Sequence, residues 1–379
     1  ADHNTAVGND AMKLNTTGAS NTAVGGNALE GCTTGGSNTA VGIGCLKALT
    51  TASNATAIGC ETLKRHTTGA NIIGIGIHAA QYSTTSWNTI AIGANALNSL
   101  TTAGRNVAIG HSAGQNLTTG GSNTAVGDST GLGTTGSSNT SIGNYAGQNL
   151  TTGSYNTAVG SFALDANTTG GNNIAIGYQA LSANTTATYN IAIGKDALDS
   201  CTTGGGNVAL GASALGVLTT GTENVAIGNW SLDAVTTGYY NTGVGLSTLG
   251  ATTTGFNNTA VGTKALEANT TGSYNTTIGY NSLDANTTGT ENTAGGWNAL
   301  GGNTTGSYNT AFGGGALDET TTANNNTGLG FKALTASTTA ASNTAVGANA
   351  MYSTTTGADN TALGKDSLWS NTTGGENVA

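Results

Sequence analysis

The chain contains no proline, and only 7% of its 379 residues are charged. An average soluble domain is about 25% charged, so the usual ionic surface is missing. Low charge excludes the common disordered class, which needs high net charge and few β-branched residues. The 62 glycines come without proline and without a three-residue period, which excludes collagen. No stretch approaches the ~20 apolar residues of a membrane span. The first residues, Ala1-Asp2-His3-Asn4, lack the basic region and apolar run of a signal peptide. What is left is a surface of Thr, Asn, Ser and Gly, and such a composition suggests repetition.

The period is seventeen. Aligned on the glycine of N-T-A-V-G, the chain has 22 anchors, from Gly8 and Gly25 to Gly347 and Gly364. Each follows the last by 17 residues, except that Gly143 follows Gly127 by 16. A Thr-Thr pair follows every anchor, from Thr16-Thr17 to Thr372-Thr373. The missing residue therefore lies between Gly127 and Thr134. The consensus is N-T-A-V-G-x-x-A-L-x-x-N-T-T-G-x-x.

Each column has a physical reading. Thr, Val or Ile stands three before the anchor (Thr5, Ile73, Val208). Val, Ile or Leu stands just before it (Val7, Ile58, Leu210). Such residues two apart are expected to form the inward face of a strand. The Ala between them (Ala6, with Gly74, Ser141 and Gly243 as variants) tolerates almost nothing larger, so something must pack tightly against it. Leu or Met four after the anchor (Met12, Leu29, Leu266) supplies a second large apolar residue. Gly114, Gly131 and Gly147 replace it beside the deletion, where a thinned core or a bend is expected. Asn opens 20 of 23 repeats, and is expected to satisfy backbone groups at a corner with unusual dihedrals. In the other three it has moved one residue earlier, to Asn54, Asn71 and Asn88.

Helical repeats need about 33 residues per unit and good helix formers. One coil per 17-residue repeat, with Gly at corners and short strands between, predicts an all-β fold: a parallel β-solenoid of about 22 coils. Residues 1–379 read as a single repeat region, irregular near 127–143. At a rise of about 4.8 Å per coil the rod would reach roughly 100 Å. The chain starts and stops inside repeats, so a slice of a longer fibre is expected. Each coil buries few hydrophobes, and a side-by-side homotrimer joined through the Ala faces would make up the deficit.

Little in the sequence carries chemistry. His3, His66, His78 and His111 share no column, so no catalytic, cofactor or metal site is expected. Cys32 and Cys201 share a column ten coils apart and read as small-residue substitutes. Asp165, Asp199, Asp233 and Glu267 recur on alternate coils, about 10 Å apart, as a solvated edge; Asp284 breaks the alternation. The net charge of −9 disfavours nucleic acid. The binding hint is aromatic. Tyr155, Tyr189, Tyr240, Tyr274 and Tyr308 stand immediately before the repeat's Asn, mostly on alternate coils, with Trp87 and Phe256 one residue earlier. An exposed row of rings is a candidate surface for sugars.

Asn106-Val107-Ala108-Ile109-Gly110 is similar to S-V-A-I-G, the motif of the head repeats of trimeric autotransporter adhesins. The longer unit with N-T-T-G resembles repeats of phage or viral tail fibres and bacterial surface fibres. The resemblance covers the whole chain. It implies left-handed parallel β-rolls with three chains side by side, in an extracellular, cell-surface or virion protein. Together these point to a non-enzymatic fibre or shaft whose partners are copies of itself and a host-surface glycan or protein. The alternatives are a glycan-binding adhesin head, and an ice- or crystal-binding module using the stacked Thr ladder.

Overall fold

The computed structural model describes residues 2–379, which fall into two compact units, Ala1–Tyr189 and Asn190–Ala379. Each unit is a parallel β-solenoid. The first holds strands β1 (Thr5–Val7) to β11 (Ile174–Ile176), and the second β12 (Ile191–Ile193) to β22 (Thr361–Leu363). No helix occurs among the described residues. Every strand ends on the residue before an anchor glycine, as the period predicts. Within each unit consecutive strands pair in register, so Thr5 lies beside Thr22, Ala6 beside Ala23 and Val7 beside Val24. The remainder of each coil is a run of tight turns.

The strand faces the opposite way to the sequence expectation. Ala23, Ala40, Ala108 and Ala226 are wholly buried, while Val24, Ile58 and Ile109 are 37%, 41% and 39% exposed. The Ala column is therefore the inner wall of its own coil and offers no face to another chain. Its opposite wall is the Leu column. A Cβ placed on Gly74 would lie 2.7 Å from the Thr62 side chain and 3.1 Å from that of Leu63. The gap between the walls is narrow: Ala or Gly fills it in nearly every coil, with Ser141 and Thr277 the larger exceptions, and the bulkier Val and Ile point outward.

Four residues per coil take positive φ, which is why the turns are so compact. The anchor must be glycine. Gly25 has φ 133°, and a Cβ there would sit 2.5 Å from the carbonyl oxygen of Gly42. Leu29, Leu164 and their column mates are left-handed at φ 51° and 53°, a conformation that disfavours a side chain by roughly 1–2 kcal/mol. Complete burial of Leu29, Leu164 and most of their column mates, at about 1.5–3 kcal/mol each, offsets this.

The Asn that opens each repeat is buried and is the lengthwise tie of the fold. Asn21 donates from Nδ2 to the Gly35 carbonyl at 2.9 Å, and its Oδ1 accepts from the backbone and side-chain N–H of Asn38 at 3.0 and 3.1 Å. The left-handed turn belongs to the residue before it, such as Ser37 at φ 59°. Where Asn sits one place early, Asn54, Asn71 and Asn88 occupy that turn at φ 61°, 58° and 48°, and their amides form a surface ladder. There the strands lengthen to four residues: β4 (Ala55–Ile58), β5 (Ile72–Ile75) and β6 (Thr89–Ile92).

At the deletion the core is refilled. A Cβ on Gly114 would meet Leu132 at 2.8 Å and Leu97 at 3.0 Å. Leu117, Leu132 and Leu150 are buried and take over the space that the three glycines vacate.

Candidate functional site

The five candidate tyrosines are exposed, from 53% at Tyr274 to 67% at Tyr189. All five occupy the left-handed turn before the buried Asn, with φ between 55° at Tyr240 and 62° at Tyr189. That turn throws the side chain outward. Small or polar residues suit it better, and Ser20, Ser37 and Ser138 fill it elsewhere. Tyr155 and Tyr189 are separated by the coil of Asn172, and Tyr274 and Tyr308 by the coil of Glu291.

The structure brings two of the five together. Tyr239 stacks on Phe256 at 4.9 Å between ring centres and 11° between planes. Tyr240 meets Tyr239 edge-on at 5.3 Å, and Tyr274 meets Phe256 edge-on at 5.2 Å. The four rings form one aromatic patch on the surface of the second unit. Tyr239 was not singled out in the sequence; it stands next to Tyr240 and one coil before Phe256, and that spacing is the signal for it. Trp87 is not free on both faces, because the Arg105 guanidinium lies 4.7 Å over its ring.

The acidic column is less solvated than expected. Burial pushes the carboxyls of Asp233 and Asp284 above the usual range, and Glu267 adds to the shift in both. Glu267 itself is bridged by Lys264 at 3.2 Å. Asp196, Asp199, Asp233 and Trp230 line an open groove of about 350 Å³. Among the described residues no three His, Cys, Asp or Glu side chains gather as a metal site. No described helix is long and apolar enough to cross a membrane.

Seven residues after the anchor runs a second internal column that sequence reading missed. Its Asn and Cys members donate to the carbonyl three residues on, His66 lies beside its own, and Leu or Val fills the place in other coils. Asn167 Nδ2 bonds Gly170 at 2.9 Å, Cys201 Sγ bonds Gly204 at 3.3 Å and His66 Nε2 lies 2.6 Å from Gly69 O. Cys32 and Cys201 thus stand in for Asn as buried donors, and the burial raises both thiols, Cys201 to about 11. The signal was available: a polar side chain stands three residues before the Gly of N-T-T-G in most coils, with Leu or Val in six of them.

The stacked Thr pair divides its work. The first Thr donates its hydroxyl to the carbonyl of its counterpart in the next coil, as Thr16 does to Thr33 at 2.8 Å and Thr151 to Thr168 at 2.9 Å. The second is exposed in most coils. Compared with known proteins, the chain matches no protein-family model, and no curated protein matches it in sequence.

Proposed function

We propose that this chain is a non-enzymatic structural fibre segment of an extracellular, cell-surface or virion assembly, joined side by side to copies of itself as a homotrimer. The observation that carries this reading is the outer face of the sheet. None of the 22 described strands contains a charged residue, and the outward rank before each anchor is mostly Val, Ile or Leu, exposed or half-buried. Such a face is uniform along each unit, has a low desolvation penalty, and is matched in spacing by a second copy. The burial of the Ala column moves the interface from the small residues to this Thr/Val/Ile face. Its resemblance to adhesin and tail-fibre repeats supports the same assignment. In this reading the tyrosines and the patch at Tyr240 and Tyr274 are the attachment surface for a host glycan or protein.

The solution mass tests it. A trimer weighs about three times the 36.8 kDa of one chain. Ile109→Lys with Ile142→Lys should reduce it to monomers that keep their β-sheet circular dichroism. A native monomer at the mass of one chain would sink the homotrimer, and an unchanged trimer in the double variant would place the interface elsewhere.

A further inference from the structure

The one loss of register in the repeat creates a polar cleft on the first unit. It has a volume of about 130 Å³ and is lined by Ser112, Gln115, Asn116, Ser129, Thr130 and Gln148. Leu132 and Leu150 supply the apolar part of its wall. We propose that this cleft binds the terminal neutral sugar residue of a glycan, with the neighbouring aromatic rungs carrying the next sugar.

The deletion leaves a polar group here without its usual partner. Thr130 stands three after its anchor, a column otherwise mostly Ala. Where that column carries Thr elsewhere, the hydroxyl finds a carbonyl in the next coil. Thr62 bonds Gly76 O at 2.6 Å and Thr248 bonds Gly262 O at 3.0 Å, in each case the anchor glycine 14 residues on. For Thr130 the next anchor is Gly143, 13 residues on, and its hydroxyl is buried with no partner. The residue is 2% exposed. A wall that holds an unsatisfied hydroxyl suits a polar occupant rather than an apolar one.

The lining selects the class of occupant. Gln115, Asn116 and Gln148 each carry an acceptor oxygen and two N–H donors, the set that grips a pair of adjacent sugar hydroxyls. No lining residue is charged, so a phosphate, a sulfated sugar or a metal ion lacks its counter-charge here. The carboxylate beside the lining Ser129, Asp128, is already engaged: His111 Nδ1 lies 2.7 Å from its Oδ1 and Ser129 Oγ donates to its Oδ2 at 3.3 Å. At about 30 Å³ per water the cleft has room for roughly four waters, the scale of one sugar's polar edge.

The second half of the site lies on the following rungs. Tyr145 occupies the same column as Ser112 and Ser129, one coil on, and stacks on Phe162 at 5.3 Å and 21°. Phe162 in turn meets Tyr178 edge-on at 6.3 Å. Tyr178 is exposed and Tyr145 and Phe162 are half-buried; hydrogen-bonding amides beside these partly open rings match the two faces of a pyranose, hydroxyl edge and C–H face. This column is separate from that of Tyr155 and Tyr189, and the inference does not rest on homotrimer formation.

Saturation-transfer NMR on the full chain tests it, with free glucose, galactose, mannose, N-acetylglucosamine and their disaccharides as probes. At least one sugar should bind, its disaccharide more tightly than the monosaccharide. Gln115→Ala with Gln148→Ala, both exposed and so compatible with folding, should weaken binding at least tenfold. Tyr145→Ala should remove the disaccharide's advantage, and Lys13→Ala, exposed on the first coil, should change nothing. Silence across the panel overturns the inference. So does binding that survives the double Gln variant.

Discussion

Asn241 hangs from Asn224: its backbone N–H and its side-chain amide both donate to Asn224 Oδ1, at 3.0 and 3.2 Å. Asn224 repeats the arrangement on Asn207 and also donates to the Gly238 carbonyl at 2.9 Å. Each side chain thus serves three coils, and removing one strands several buried groups at once. Asn224→Ala leaves the Asn241 N–H and the Gly238 carbonyl unpaired, at about 1–3 kcal/mol each. Urea or thermal unfolding should show a loss of roughly 2–5 kcal/mol. A loss below about 1 kcal/mol would mean that water or a backbone shift replaces the ladder.

The other internal column breaks off where an asparagine is followed by a threonine. Asn286 donates to Asn269 Oδ1 at 3.0 Å and Asn303 to Asn286 Oδ1 at 2.9 Å. Thr320 does not continue the run, and both Asn303 Oδ1 and Thr320 Oγ1 are buried without partners. Thr320→Asn should satisfy the first and replace the second with a donor aimed at the Ala323 carbonyl. The column already accepts Asn, Leu and His, so the extra atoms have room. The expected outcome is a higher Tm, by roughly 1 kcal/mol of stability for the bond recovered. A lower Tm would show that local packing, rather than hydrogen bonding, set the choice of Thr.

His66 is the one histidine of that column, wholly buried, its Nδ1 3.1 Å from Ser83 Oγ. Burial holds its pKa below the ordinary 6.5, against a smaller opposing effect of the Gly69 carbonyl. The folded protein therefore resists a proton that the unfolded chain accepts. The stability is complete above pH ~6.5 and declines as the pH falls below it toward the folded pKa, by up to about 1.4 kcal/mol per pH unit. His66→Asn, the residue most common in the column, should remove that part of the slope between pH 6.5 and 5. Identical slopes for the two proteins would rule out His66 as the source.

Cysteine chemistry should separate by column. Cys60 is exposed, whereas Cys32, Cys45 and Cys201 are buried, and burial raises all three buried thiols. A disulfide reagent at pH 8 should label one thiol per native chain and four after unfolding. Rapid native labelling of Cys201 would contradict its place in the core.

The period made much of the fold legible, because each column is sampled about 22 times. Strand positions, coil count and the exposure of Tyr155, Tyr189, Tyr240, Tyr274 and Tyr308 all follow from it. The direction of the strand face did not. Val and Ile are larger and more apolar than Ala, so composition places them inside. The width of the coil decides otherwise: Leu63 lies against the Ala column, and that distance is a property of the closed turn and not of any residue. The cleft at Thr130 was hidden for a similar reason. The deletion is visible in the spacing, yet only the stacked coils show which hydroxyl loses its carbonyl and that Leu132 refills the core.

The same geometry bears on ice or crystal binding. A lattice-matched face needs free hydroxyls in regular ranks. The first Thr of each pair gives its hydroxyl proton to the next coil, as Thr168 does to Thr185 at 3.0 Å. On the sheet face the rank three before the anchor switches from Thr to Ile or Val at Ile73, Ile90, Val107, Ile174, Ile191, Val208 and Val225. The companion rank is aliphatic, with Phe312 and Gly295 interrupting it. Neither of these offers an unbroken row of free hydroxyls, and the exposed second Thr of each pair is a single rank at a turn rather than two ranks on a flat face. The purified chain should show no thermal hysteresis and no faceting of ice crystals at millimolar concentration. Clear hysteresis, abolished by Thr22→Lys on the sheet face but not by Thr34→Lys at the turn, would instead make the Thr/Val/Ile face a crystal-binding plane.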